Sequence, residues 1–106
     1  MIEFQGVDTK WQEEEDKILE NIKFKFGAGD HVAVIGRVGS GKSTLLLTVL
    51  QETIVTKGVV KLQKGIKMAY TAQEPLIVTG TIRENIVFGR TFDQEWYDKV
   101  TWACCL

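Results

Sequence analysis

The sequence predicts an α/β fold in which antiparallel β hairpins accompany one strand–loop–helix unit and C-terminal helices. Three observations carry this prediction. Residues 22–26 alternate between apolar and charged side chains, and residues 31–50 run from an apolar stretch through a glycine-rich loop into an aliphatic stretch. Residues 81–84 have the pattern of a helix N-terminus. A chain of 106 residues is long enough for one small domain.

The first thirty residues predict two strands and a turn. Residues 2–11 alternate weakly and predict a first strand, and the acidic run at residues 13–16 predicts a solvated loop or hairpin turn. Residues 22–26, Ile-Lys-Phe-Lys-Phe, predict a half-buried second strand with its three apolar side chains on one face. Residues 27–30, Gly-Ala-Gly-Asp, predict a turn.

The glycine-rich loop at residues 36–44 fits the phosphate-binding pattern G-x-x-x-x-G-K-[ST]. The apolar run at residues 31–35 predicts a buried strand before it, and a helix is predicted from residue 42 to residue 52. Strand, glycine loop and helix are the context that this pattern requires. The alternative is a glycine-rich turn with an incidental Lys-Ser pair, which leaves the three glycines to chance.

Glycine is expected in this loop because a triphosphate needs many backbone N–H donors at short range. Gly36, Gly39 and Gly41 are predicted to turn the loop through positive φ angles and to bring its backbone close to the phosphates. The helix that follows points its free N–H groups and the positive end of its dipole at the same anion.

Three consecutive polar residues at the helix start are candidate ligands. Lys42 is predicted to reach the β- and γ-phosphates as a point charge. Ser43 is predicted to bind Mg²⁺, which prefers oxygen ligands and is usually shared with the phosphates. Thr44 is a candidate hydrogen-bond partner of the α-phosphate.

The second half of the chain predicts a hairpin and two helices. Residues 58–63 and 66–71 are predicted strands around a Lys-Gly turn. Residues 81–84, Thr-Ile-Arg-Glu, predict a capping box and a short helix to about residue 88. Asp93 is expected to cap a last helix. The apolar face of this helix is predicted to hold Trp96, Tyr97, Val100, Ala103 and Cys104.

Composition excludes several classes of function. The net charge of −1 provides no basic field for nucleic acid. No apolar run approaches the roughly 18 residues of a membrane span, and the N-terminus lacks the pattern of a signal peptide. The adjacent Cys104 and Cys105 do not suggest a disulfide framework and are expected to be small apolar side chains in a reducing, cytosolic setting.

Two sequence blocks in the second half separate the possible classes of nucleotide-binding protein. Ras-like GTPases also carry D-x-x-G and N-K-x-D, and neither occurs here. Residues 68–75, Met-Ala-Tyr-Thr-Ala-Gln-Glu-Pro, and residues 81–89, Thr-Ile-Arg-Glu-Asn-Ile-Val-Phe-Gly, resemble the Q-loop region of ABC transporter nucleotide-binding domains. The resemblance is greatest to the first nucleotide-binding domain of subfamily C, the multidrug-resistance-associated and cystic-fibrosis-channel group, and covers about residues 11–106. It implies a partial P-loop NTPase fold of the ABC ATPase type.

The resemblance implies ATP and Mg²⁺ as ligands and assigns roles to residues outside the loop. Trp11 matches the aromatic residue that stacks on adenine, although it is also a candidate core residue of the first strand. Gln73, 31 residues after Lys42, matches the Q-loop glutamine that contacts Mg²⁺ or the attacking water, and its alternative is an ordinary polar loop residue. Within the loop, Val38 and Ser40 match nucleotide-binding positions.

Phe88 matches the aromatic residue that packs against a coupling helix of the transmembrane domain. Its alternative is ordinary core packing of a short helix. The interface role predicts that Phe88 is at least partly exposed, while Ile82 and Ile86 point inward.

The sequence departs from the family pattern because its 106 residues contain no L-S-G-G-Q signature, Walker B strand or switch histidine. The single histidine, His31, precedes the phosphate loop. We therefore expect a truncated ABC ATP-binding domain over residues 1–106. It binds ATP, lacks residues for hydrolysis, and is marginally stable and prone to associate. The alternatives are a non-catalytic nucleotide-binding fragment, such as a truncated gene product, and another P-loop kinase or NTPase.

In a full transporter, the implied partners are the remainder of the nucleotide-binding domain, a second nucleotide-binding domain and the coupling helices of the transmembrane domain. The implied location is the cytoplasmic face of a membrane, with this chain itself soluble. No nucleic acid partner is expected.

Overall fold

The computed structural model describes residues 1–12 and 16–106. The acidic loop predicted at residues 13–16 lies, except for Asp16, outside the described residues. The chain divides into two compact units, Met1–Ala69 and Tyr70–Leu106. Among the described residues, the first unit holds three strands and one helix, and the second holds two helices. The predicted α/β class is therefore confirmed.

The first unit is built on a three-stranded antiparallel sheet with the strand order β2–β1–β3. Strand β1 spans Ile2–Lys10, β2 spans Leu19–Phe26 and β3 spans Ile54–Leu62. The first two strands and the turn at residues 27–30 confirm the predictions. Because β1 is central, its backbone N–H and C=O groups have partners on both sides.

An aromatic cluster covers one face of β1 and β2. The ring of Phe4 stacks on that of Phe24 with 4.3 Å between centroids, and Phe24 stacks on Phe26 at 5.3 Å. The antiparallel register places Phe4 directly opposite Phe24, and alternation along β2 brings Phe26 to the same face. In the part of the chain that the structure describes, the buried apolar residues are Phe4, Val7 and Leu19.

Helix α1 spans Lys42–Val49 and follows an irregular stretch, so the buried strand predicted at residues 31–35 is wrong. None of the described strands pairs with this stretch, and Ile35 is 92% exposed. A run of β-branched residues does not form a strand without a hydrogen-bonding neighbour. The helix also ends before the predicted residue 52, because Gln51 adopts a positive φ of 64°.

The predicted hairpin at residues 58–71 is wrong in its second strand. The turn is present, since the N–H of Ile66 donates to the carbonyl of Gln63 at 3.1 Å. Residues 66–71 after it are irregular. Strand β3 instead begins at Ile54 and pairs with β1, a partner far away in sequence, which a reading of local pattern does not detect.

The second unit contains α2, Ile82–Val87, and α3, Gln94–Ala103. The predicted capping box is confirmed: the N–H of Glu84 donates to Thr81 Oγ1 at 3.1 Å, and the N–H of Thr81 donates to Glu84 Oε2 at 2.6 Å. The hydrogen bonds from Thr81 hold the pKa of Glu84 below its usual value. Asp93 caps α3 as predicted, accepting a hydrogen bond from the N–H of Trp96 at 2.9 Å.

An arginine joins the two helices of the second unit. The guanidinium of Arg83 in α2 lies 5.0 Å from the ring centroid of Phe92 and 5.7 Å from that of Tyr97 in α3. Neither helix has a fully buried residue, and Trp96 on the predicted apolar face is 64% exposed. None of the described helices is long and apolar enough to cross a bilayer.

Candidate nucleotide-binding site

The phosphate loop at residues 36–44 leads into the N-terminus of α1. The helix begins at Lys42, with Gly41 as its N-cap residue. Among the residues that the structure describes, no side chain accepts a hydrogen bond at this cap. An uncapped helix N-terminus offers its first-turn N–H donors and the positive end of its dipole to an anion. The predicted start of the helix is confirmed.

The loop glycines have two different structural reasons. Gly39 and Gly41 have positive φ angles of 78° and 92°, as predicted. The prediction is wrong for Gly36, whose φ is not positive. A Cβ atom at Gly36 would lie 2.7 Å from Ser40 Oγ, so glycine there permits a close approach within the loop.

Gly41 also fixes the loop against the sheet. A Cβ atom there would lie 2.9 Å from Leu19 Cδ2 and 3.7 Å from Ile18 Cγ2, at the start of β2. Leu19 is only 8% exposed. The N-cap residue of α1 therefore lies close to the start of β2, where little room is left for a side chain at position 41.

The ammonium of Lys42 lies at the beginning of the phosphate loop. Its Nζ donates to the carbonyl of Gly36 at 2.9 Å and to that of Arg37 at 2.6 Å. The N–H of Ser40 donates to the same Arg37 carbonyl at 3.2 Å. The loop thus curls around its own lysine, which holds a positive charge beside the helix N-terminus.

The two hydroxyl residues after Lys42 differ in exposure. Ser43 is exposed, which suits a ligand to a cation shared with phosphates. Thr44 is 7% exposed, and its carbonyl accepts a hydrogen bond from Thr48 Oγ1 at 2.8 Å. Thr48 Oγ1 in turn lies 2.9 Å from Thr53 Oγ1, so the Thr48 hydroxyl links the Thr44 carbonyl within α1 to the segment after the helix. Among the described residues, no group of three acidic, histidine or cysteine side chains could hold a metal by itself.

The remaining predicted site residues are spread over both units. Trp11 directly follows β1 in the same unit as the phosphate loop and is 39% exposed. Val38 is fully exposed within the loop. Gln73 is exposed in an irregular segment of the second unit.

Phe88 occupies the C-cap of α2 with φ 46° and ψ 53°, and it is 61% exposed, in agreement with the predicted exposure. Ile86 is half-buried. The expectation that Ile82 points inward is wrong, because Ile82 is 76% exposed. It occupies the first turn of a helix that has no fully buried residue.

One buried polar residue of the first unit escaped the sequence prediction. Asp8 lies in the middle of the central strand and is 4% exposed. Its carboxylate accepts hydrogen bonds from Lys17 Nζ at 2.6 Å and from the backbone N–H of Asn21 at 2.7 Å. The available signal was the occurrence of an aspartate, which strands disfavour, within a predicted strand.

Comparison with known proteins gives a consistent result. A family model described as ABC transporter matches residues 19–102. The chain is 41% identical over 106 residues to ABC transporter C family member 9 of Arabidopsis thaliana, covering 99% of this chain and 7% of the relative. It is 37% identical over 107 residues to ATP-binding cassette sub-family C member 4 of Homo sapiens, covering 100% and 8%.

A third relative is the cystic fibrosis transmembrane conductance regulator of Danio rerio, which is 42% identical over 89 residues, covering 84% of this chain and 6% of the relative. The chain thus spans less than a tenth of the length of these three relatives.

Proposed function

The chain belongs to the ABC transporter family, with relatives in subfamily C, and on this premise we propose that it binds MgATP through the loop at residues 36–44. The observation that carries the proposal is the position of Lys42. Its ammonium lies among the loop carbonyls beside an uncapped helix N-terminus, which concentrates positive charge and backbone donors in one place.

Each loop residue has a role in this proposal. Lys42 exchanges its two carbonyl partners for phosphate oxygens, and Ser43 provides an exposed hydroxyl for Mg²⁺. Bound Mg²⁺ supplies charge neutralisation of the phosphates. The backbone of the loop provides N–H donors at the remaining nucleotide-binding positions: Gly36, Val38, Gly39, Ser40, Gly41 and Thr44.

We assign Trp11 to the adenine because it is a partly exposed aromatic side chain in the same unit as the loop. Two residues of the second unit receive roles from family membership. Gln73 contacts Mg²⁺ or water, and Phe88 packs on a coupling helix of a transmembrane domain. The 61% exposure of Phe88 supports the second assignment.

We further propose that residues 1–106 form the first part of an ABC ATP-binding domain. Its partners are the remainder of that domain, a second nucleotide-binding domain and the transmembrane domains, at the cytoplasmic face of a membrane. The proposal for the 106 residues concerns binding, not hydrolysis.

Calorimetric titration with MgATP tests the phosphate site. Lys42→Ala deletes a charge-assisted contact and is expected to weaken binding at least tenfold, about 1.4 kcal/mol or more. Lys64→Ala is the matched control, because Lys64 is an exposed lysine of the same unit in the turn after β3. Equal affinities of the Lys42→Ala and Lys64→Ala proteins would reject the phosphate site.

Fluorescence tests the base site separately. With Trp96 and Trp102 replaced by Phe, ATP is expected to change the emission of Trp11, whereas inorganic tripolyphosphate is not. Trp11→Ala is expected to weaken ATP binding and to leave tripolyphosphate binding unchanged, since only ATP carries a base to stack. An unchanged spectrum and affinity would return Trp11 to a structural role in the sheet.

A further inference from the structure

A buried carboxylate in the centre of the sheet requires an explanation. Strands disfavour aspartate, and burial of a charge is costly unless the charge is paired and hydrogen-bonded. Asp8 is nevertheless on the central strand, with its side chain only 6% exposed. Val7, Asp8 and Thr9 are buried in succession, which departs from the alternation of an ideal strand.

The departure coincides with an irregularity in the pairing of β1 with β2. Val7 pairs with Ile22 and Thr9 with Leu19, so the single residue Asp8 faces two residues of β2. Such a bulge leaves one residue out of the regular ladder. That residue is Asn21, which adopts a positive φ of 49°, and its N–H donates to Asp8 Oδ1 at 2.7 Å.

The second carboxylate oxygen fixes the connection between the strands. Lys17 Nζ donates to Asp8 Oδ2 at 2.6 Å, from a position two residues before β2. The N–H of Ile18 donates to the carbonyl of Thr9 at 2.9 Å. Asp8 therefore ties the incoming end of β2 to β1 at a point three residues before Trp11.

The segment held by Asp8 also contacts the phosphate loop. Ile18 and Leu19, which directly follow Lys17, are the side chains against which Gly41 is seated. The Asp8 carboxylate thus holds Lys17, and the two residues after Lys17 contact the N-cap of α1. Asp8 itself lies on β1, which ends one residue before Trp11. Among the described residues, the hydrogen bonds of the Asp8 carboxylate go to Lys17 and Asn21 and not to the loop, so Asp8 acts through these neighbours.

We propose that Asp8 is a positioning residue that, through Lys17 and Asn21, sets the distance between Trp11 and the phosphate loop and thereby favours a nucleoside triphosphate over a bare polyphosphate. This inference rests on the proposed function, because it takes Trp11 as the base-stacking residue and residues 36–44 as the phosphate site. In this proposal Asp8 does not contact the ligand. Its hydrogen bonds fix the spacing between Trp11, which contacts the base, and the loop, which contacts the phosphates.

Two variants loosen the tie with little change in shape. Asp8→Asn retains an oxygen that can accept from the N–H of Asn21 and removes the charge that holds Lys17. Lys17→Met keeps an unbranched stem and removes the ammonium, and it acts at a side chain that is 47% exposed. Glu95→Gln is the control, because it breaks an exposed ion pair with Lys99 in the second unit.

Calorimetry with MgATP and with magnesium tripolyphosphate supplies the readout. Each of the two variants is expected to weaken ATP binding about tenfold, with tripolyphosphate affinity within about twofold of the unaltered chain. In a Trp11→Ala background, Asp8→Asn is expected to cause no further loss for ATP, since the positioned group is gone. Glu95→Gln is expected to change neither affinity.

The outcomes separate the alternatives. Equal losses for both ligands, or a loss for ATP that persists in the Trp11→Ala background, would show a merely structural role and overturn the proposal. Unchanged ATP affinity in a folded variant would also overturn the proposal. If Asp8→Asn does not fold, the affinities of Lys17→Met for the two ligands are the test. Failure of the proposed function has a different signature, namely ATP binding by the unaltered chain that does not depend on Lys42.

Discussion

Gly58 offers the sharpest test of how β1 and β3 fit together. It faces Gly6 and Val7 at an irregularity in the pairing, where Gln5 pairs with Val59 and Asp8 with Lys57. A Cβ atom at Gly58 would lie 2.3 Å from the carbonyl oxygen of Gly6 and 2.5 Å from that of Gln5. Both obstacles are backbone atoms of the neighbouring strand, so they cannot rotate away as a side chain can.

Two terms set the expected cost of Gly58→Ala. The φ of Gly58 is 77°, and this left-handed region costs an ordinary L-residue about 1–2 kcal/mol. Forced overpacking adds about 1–3 kcal/mol, because the two strands must move apart. The free energy of unfolding is therefore expected to fall by about 3 kcal/mol, a large share of the roughly 5–15 kcal/mol of a typical domain.

Gly65→Ala is a matched control for the conformational term alone. Gly65 has a φ of 76°, nearly that of Gly58, and no atom of the described residues lies within 4 Å of the position that a Cβ would take. Its cost should be only about 1–2 kcal/mol. Urea titrations followed by circular dichroism measure both free energies of unfolding, provided that the free energy depends equally steeply on urea concentration in the two variants. If Gly58→Ala costs no more than Gly65→Ala, the close approach of β1 and β3 is refuted.

Two further predictions concern the cap of α2 and acid stability. Thr81→Ala removes the side-chain acceptor of the capping box and is expected to lower the stability of the second unit by about 0.5–2 kcal/mol. The loss should be visible as a weaker helical circular dichroism signal at intermediate urea concentration. Thr91→Ala, a control outside the helices, should leave that signal unchanged. The hydrogen bond from Lys17, then that from the N–H of Asn21, and the nearby charge of Lys57 hold the pKa of Asp8 below its usual value. Because the pKa of Asp8 is lower in the folded than in the unfolded chain, the ionised carboxylate stabilises the fold above the unfolded pKa, and this stability is lost as the pH falls below about 4. Asp8→Asn should therefore flatten the acid part of a plot of unfolding free energy against pH. An unchanged plot would contradict the pairing of Asp8 with Lys17 and Asn21.

Local signals in this sequence predicted local structure well. The capping box of Thr81 and Glu84, the cap at Asp93 and the helix start at Lys42 all depend on residues within four positions of one another. Their hydrogen bonds close within the same segment, so the sequence around them contains all the partners that they need.

The wrong predictions concern strands, whose partners are not local. Residues 31–35 have a composition that favours a strand, but none of the described strands lies beside them. Residues 66–71 follow a turn that suits a hairpin, yet β3 takes β1 as its partner instead. Propensity indicates that a segment is suited to a sheet, and only the tertiary arrangement decides whether a neighbour is available.

The candidate site shows the same division. The motif at residues 36–44 predicted the loop, the helix start and the positive φ angles of Gly39 and Gly41. It did not predict that Gly36 serves a close approach instead of a positive φ. The motif also could not reveal the role of Asp8. The backbone N–H of Asn21 is available to Asp8 only because the pairing of β1 with β2 is irregular there, far from the motif in sequence.

The central position of β1 has a consequence for synthesis on the ribosome. Its partner β2 is complete at residue 26, but β3 is complete only at residue 62. At about 5–20 residues per second, several seconds separate the two events, and during them one edge of β1 has unpaired N–H and C=O groups. The phosphate loop and α1 emerge within this interval. Slower translation between residues 26 and 54 would prolong the time in which that edge can pair with another nascent chain.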